Sequence, residues 1–73
     1  MKELFDVYID NNHIFCRSKH RTLKLDLQLD LVLLLTQMSK TARHKFVNGK
    51  KCHCYLDINA LKLLFNEWQF TDI

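Results

Sequence analysis

The 73-residue chain has no proline and one glycine, Gly49. A phosphate cradle or dinucleotide fingerprint needs several positions without a side chain, so one glycine excludes both. Long apolar runs are also missing. The longest is Leu31 to Leu35, against the roughly 20 residues of a membrane-spanning helix. The first ten residues place Lys2, Glu3, Asp6 and Asp10 among apolar positions, unlike a signal or transit sequence, and a cytoplasmic location is expected. Only three cysteines are present. They cannot all pair within one chain, and Cys52 and Cys54 lie too close along one strand to bridge comfortably, so reduced thiols are expected. Serine is confined to Ser18 and Ser39, neither in a nucleophile-elbow context, and so short a chain has little room for a dry catalytic pocket. Cys52-His53-Cys54 sets histidine beside thiols, but neighbouring strand residues point to opposite faces. The chain reads as a non-enzyme without a cofactor.

What is present is apolar substance: 48% of residues are hydrophobic and 26% charged, too hydrophobic for a disordered tail. Residues 1–73 read as a single domain, in which a chain of this length buries only about 60% of the surface its unfolded form exposes. The charge is laid out in blocks. Residues 1–16 carry a net −2, whereas Arg17, Lys19, Arg21 and Lys24 give +4 without an acid. From 31 to 56 there is again no acid, and Lys40, Arg43, Lys45, Lys50 and Lys51 give +5. A face gathering such stretches attracts phosphates or an acidic surface.

Alternation on both sides of Asn11 and Asn12 predicts a β-hairpin with a two-residue loop. Its register sets Ile9 against Ile14 and Val7 against Cys16 on one face, with Phe5 continuing it. Tyr8 then meets Phe15, and Asp6 meets Arg17, on the other face. Leucine at every odd position from Leu23 to Leu31 predicts a strand through at least Asp26. Leu27, Leu31, Leu34, Leu35, Met38 and Ala42 then follow helical spacing, so a helix is expected over about 28–42, capped by Asp26 or Asp30. Asn48-Gly49 signals a second hairpin, with strands over 44–47 and 50–55. Asp57 is expected to cap a helix over about 58–68, its stripe formed by Ile58, Leu61, Phe65 and Trp68. The whole predicts an α+β fold with two hairpins and two helices.

The second hairpin is the expected nucleic-acid contact. Arg43, Lys45, Lys50 and Lys51 would pair with phosphates around the stackable ring of Phe46, and Arg17, Lys19 and Arg21 would extend the patch. Tyr8, Phe15, Leu63 and Phe70 exceed what a small core can hide and are expected to bind a partner. Zinc is the alternative use of His13, Cys16, His20, His44, Cys52 and Cys54, but their spacing departs from familiar zinc patterns. Buried thiols and surface histidines are the preferred reading, with no metal.

The order of leucine-rich helix, basic turn and Cys54-Tyr55-Leu56-Asp57 opening another helix resembles the first two helices of winged helix-turn-helix domains over about half the chain. Only five residues follow Trp68, too few for the recognition helix such a domain would insert in the major groove, so no residue role is carried over. The expected function is a small regulatory or inhibitory binding protein, in the style of phage or mobile-element regulators. Its partner would be a nucleic acid or nucleoprotein met through the basic hairpin. The competing expectation is a protein–protein inhibitor or obligate homodimer acting through exposed apolar helix and strand residues.

Overall fold

A computed structural model describes residues 1–65 and the backbone of 68–70. Its elements run β1 (Lys2–Asp10), β2 (His13–Arg17), β3 (Arg21–Asp26), α1 (Leu27–Thr36), α2 (Lys40–Gly49), β4 (Lys51–Asp57), α3 (Ile58–Leu64) and β5 (Trp68–Phe70). The strands form one antiparallel sheet in the order β4-β1-β2-β3-β5. The fold is α+β, and no helix among the described residues is long and apolar enough to cross a membrane.

Period-two alternation sorts each strand into an inner and an outer set. Phe5 and Val7 of β1, Ile14 and Cys16 of β2, Leu23 and Leu25 of β3, and Cys52, Cys54 and Leu56 of β4 are buried. Leu34, Ala42, Phe46, Ile58 and Leu61 from the helices, with Met38 from the α1–α2 connection, close the same core. Among the described residues, the helices therefore cover one face of the sheet and leave the other open. At the far end of the inner face, Glu3 holds the Arg21 guanidinium at 3.3 Å and accepts a hydrogen bond from the Ser18 hydroxyl.

The Asn11-Asn12 hairpin has the register that its alternation predicts: Ile9 faces Ile14, Val7 faces Cys16, Tyr8 faces Phe15 and Asp6 faces Arg17. Asn11 supplies the left-handed residue of the turn, with φ 56°, a conformation asparagine tolerates. Asp26 ends β3 and starts α1, its carboxylate accepting the Gln28 and Leu29 amides.

Three expectations change. The helix expected over 28–42 is two helices. Gln37 closes α1, its amide donating to the Leu34 carbonyl and the Met38 amide to that of Leu35, and the Ser39 hydroxyl opens α2 by accepting the Ala42 amide. The residues expected as strand 44–47 lie in α2, because Ala42 and Phe46 are buried four residues apart while Lys40, His44 and Asn48, beside and between them, are exposed; a strand would set all five on one face. Asn48-Gly49 thus joins a helix to a strand, and the second tight hairpin lies instead at Ser18 to His20, between β2 and β3, where the Ser18 amide donates to the Arg21 carbonyl. The last helix stops at Leu64, and Phe65 turns to φ −124° and buries its ring. Trp68, expected on that helix, is on β5 opposite Leu23.

The signal at 48–49 misled because the glycine is one residue early. Gly49 is helical without a positive φ, whereas Lys50 adopts φ 60° as the left-handed cap of α2. A left-handed residue with a side chain costs about 1–2 kcal/mol, and a Cβ at Gly49 would meet nothing within 4 Å. Lys50→Gly and Gly49→Ala should therefore each raise stability by about 0.5–1 kcal/mol in urea unfolding. Phe46→Ala should act in the opposite direction: its ring is 1% exposed, and its loss costs about 3–5 kcal/mol, which calorimetry should record as a large drop in Tm or outright unfolding.

Candidate nucleic-acid interface

The exposed side of α2 is built from the basic stretch. Ala42 and Phe46 point into the core, and the same turn geometry places Lys40, Arg43, His44, Lys45 and Val47 outward. Lys50 and Lys51 follow at the helix end and the start of β4, also exposed. None of these five cations makes an ion pair with a described residue. Lys40, Thr41, Arg43, His44, Lys45 and Val47 line a shallow concavity of about 620 Å³ on the helix surface. Around it, His44 lies within 3.0 Å of the Asn48 side-chain amide.

Cations in the first turn oppose the helix dipole, and α2 carries no acid there. Each such charge disfavours the helix by about 0.3–1 kcal/mol. Lys40 and Arg43 are thus placed against the interest of helix stability, an arrangement that an approaching anion relieves.

The open face of the sheet carries the second group. Tyr8 and Phe15 are cross-strand partners whose rings stack at 5.3 Å between centroids and 19° between planes. His13 tilts against Phe15 at 6.4 Å. Lys51 is opposite Tyr8 on β4, and Lys24 is opposite Phe15 on β3. One row further along, His53 Nε2 meets Asp6 Oδ1 at 3.3 Å, with Arg17 on the other side of Asp6.

Of the residues expected to contact nucleic acid, Arg43, Lys45, Lys50 and Lys51 share the α2–β4 segment and are exposed. Arg17 is on the open face, and Lys19 is exposed in the β2–β3 turn at the opposite end of the sheet from Lys50. Two leave the set. Phe46 is core, so it offers no stacking surface, and the Arg21 side chain is 11% exposed and engaged with Glu3. Among the expected partner residues, Tyr8 and Phe15 come together, whereas Leu63 lies apart from them on α3 at 86% exposure, with Leu64 exposed beside it. The Phe70 backbone pairs with Arg21 on β5, and its side chain lies outside the described residues. Lys40 and Lys24 were missing from the expected site. Lys40 follows the Ser39 cap, and the register of β3 against β2 was the signal for Lys24.

The thiols have a packing role. Cys16, Cys52 and Cys54 are free and buried, with the Cys52 and Cys54 sulfurs 3.8 Å apart on the inner face. Burial pushes the Cys16 and Cys54 thiols up to about 12 and raises Cys52 as well. No cluster of three or more His, Cys, Asp or Glu side chains among the described residues is arranged to hold a metal ion. At the start of α3, Asp57 accepts the Asn59 and Ala60 amides, and the Ala60 bond chiefly holds its carboxyl below the usual range.

No protein-family model matches the chain, and no curated protein or solved structure does so either. The geometry therefore carries the functional argument alone. For the thiols it makes a direct forecast: alkylation needs thiolate, so iodoacetamide at about pH 8 should leave Cys16 and Cys54 unmodified in the native protein and label all three cysteines after unfolding. Mass spectrometry finding native Cys54 labelled at the unfolded rate would contradict the buried assignment.

Proposed function

We propose that this protein is a non-enzymatic binding module that contacts the phosphates of a nucleic acid through α2 and the start of β4, acting stoichiometrically as a small regulator or inhibitor. The observation carrying this reading is the run of Lys40, Arg43, Lys45, Lys50 and Lys51, all exposed, with no acidic residue from 31 to 56. Each cation over a phosphate releases counterions, and this term dominates backbone affinity. Placement of Lys40 and Arg43 at the positive end of the helix supports binding over stability as the reason for their presence.

A second reading is supported by α1. Leu29, Val32 and Leu33 are 78%, 70% and 42% exposed, three large apolar side chains at helical spacing on one outer face. A helix apolar on every side is ordinarily covered. In that reading the chain is a protein–protein inhibitor or a homodimer, and its complex survives high salt because apolar contact holds it.

The triple variant Lys40→Gln, Arg43→Gln, Lys45→Gln decides between them. Affinity for nucleic acid should fall, and the slope of log affinity against log salt should flatten by up to about 0.9 per lost contact on duplex DNA. Thermal stability should hold or rise slightly, because two charges opposing the helix dipole are gone. Unchanged affinity at low salt would make the basic run a solubility feature and leave the protein-binding reading in place.

A further inference from the structure

We propose that the open face of the sheet is a stacking platform for unpaired bases, so that the ligand of this protein is a single-stranded nucleic acid. This deepens the phosphate-binding reading of α2 and rests on it, but a different set of residues carries it.

The register aligns Lys51, Tyr8, Phe15 and Lys24 in one transverse row across β4, β1, β2 and β3. Adjacent strands lie about 4.8 Å apart, so the row spans roughly 14 Å between its terminal backbones. Tyr8 and Phe15 each cover one face of the other, which turns their outer faces toward Lys51 and Lys24. Two rings bracketed by two cations match the chemistry of a short run of nucleotides, in which flat bases alternate with charged phosphates.

The neighbouring rows confine a strand to this one. On one side His53, Asp6, Arg17 and Thr22 line up, with Asp6 already engaged by His53. On the other side Asp10, His13 and Asp26 follow, where two carboxylates repel phosphate. Among the described residues, the ring row contains no acid. Lys51 belongs to both surfaces, since it continues the cationic run of α2 and ends the row on the sheet. A strand crossing the rings can therefore keep its phosphates in contact with cations as it leaves toward α2.

A duplex cannot use this face. Its bases are stacked and paired internally, so it presents no free base planes to the rings. Single strands present their base planes to rings of any sequence, which makes such binding tolerant of sequence and selective for strandedness.

Fluorescence anisotropy with labelled oligothymidylate and with a DNA duplex of equal length tests this. Tyr8→Leu with Phe15→Leu keeps apolar side chains on an uncovered face and removes the rings. That pair should weaken oligothymidylate binding by roughly ten-fold or more and leave duplex binding unchanged. Lys24→Gln with Lys51→Gln should flatten the single-strand salt slope by up to about 0.7 per lost contact. In the parent protein, the ring protons of Tyr8 and Phe15 should shift in NMR spectra on adding oligothymidylate, a readout that needs no variant. Rings that do not shift, or a folded leucine variant that binds oligothymidylate as tightly as the parent, overturn the platform while the α2 reading stands if the α2 triple variant loses binding. A parent that binds neither probe overturns both readings. A dimer in sedimentation that the leucine pair dissolves would make the face a contact between copies and also overturn the proposal.

Discussion

One-sided burial of the sheet is the constraint on which the molecule depends. β1 pairs with β4 over residues 2–8 on one side and with β2 over residues 6–10 on the other, and its alternation decides which face of both neighbours points inward. Phe5 and Val7 are 0% exposed; Val7 lies between Cys16 and Cys52, and Phe5 faces Cys54. A slip of one residue would exchange that set for Leu4, Asp6 and Tyr8, burying a carboxylate at the centre of the core. The cost of a buried unpaired charge, several kcal/mol, holds the register.

From that constraint the two functional surfaces follow. With only one face covered, Tyr8 and Phe15 stay on the outside in a cross-strand stack, bracketed by lysines from β3 and β4. The helices that cover the other face must each present a stripe inward, and for α2 the stripe of Ala42 and Phe46 leaves every cation of 40–51 in solvent. Packing and charge placement are thus two sides of one rotation of the helix. α1 differs, because its leucines exceed the width of any single stripe and Leu29, Val32 and Leu33 remain outside.

The cysteines and the left-handed residues show how the small core is completed. Three thiols act as small apolar side chains between larger ones, and burial keeps them protonated. Asn11 takes a positive φ that its side chain tolerates, and Lys50 takes one that its side chain disfavours. The strain at Lys50 is local to the junction where α2 gives way to β4, so the rest of the fold tolerates it.

Sequence periodicity by itself determined the first hairpin, its register and the cap at Asp57, and narrowed the start of α1 to Asp26 or Asp30, because alternation and capping are decided by residues close along the chain. It also determined that the cations from 40 to 51 would lie together, since they are neighbours in sequence. Whether they lie on a strand or a helix was settled only in three dimensions. Segment 40–49 offers a turn dipeptide that favours a hairpin and a four-residue spacing that favours a helix, and local preference is nearly balanced between them. Burying Ala42 and Phe46 beneath β4 while Lys40, His44 and Asn48 stay in solvent is available only to the helix, since a strand would put all five on one face. The tertiary structure likewise decided that Lys24 and Lys51, far apart along the chain, end one row on either side of two rings, because only strand order brings β3 and β4 to opposite flanks of the β1–β2 pair.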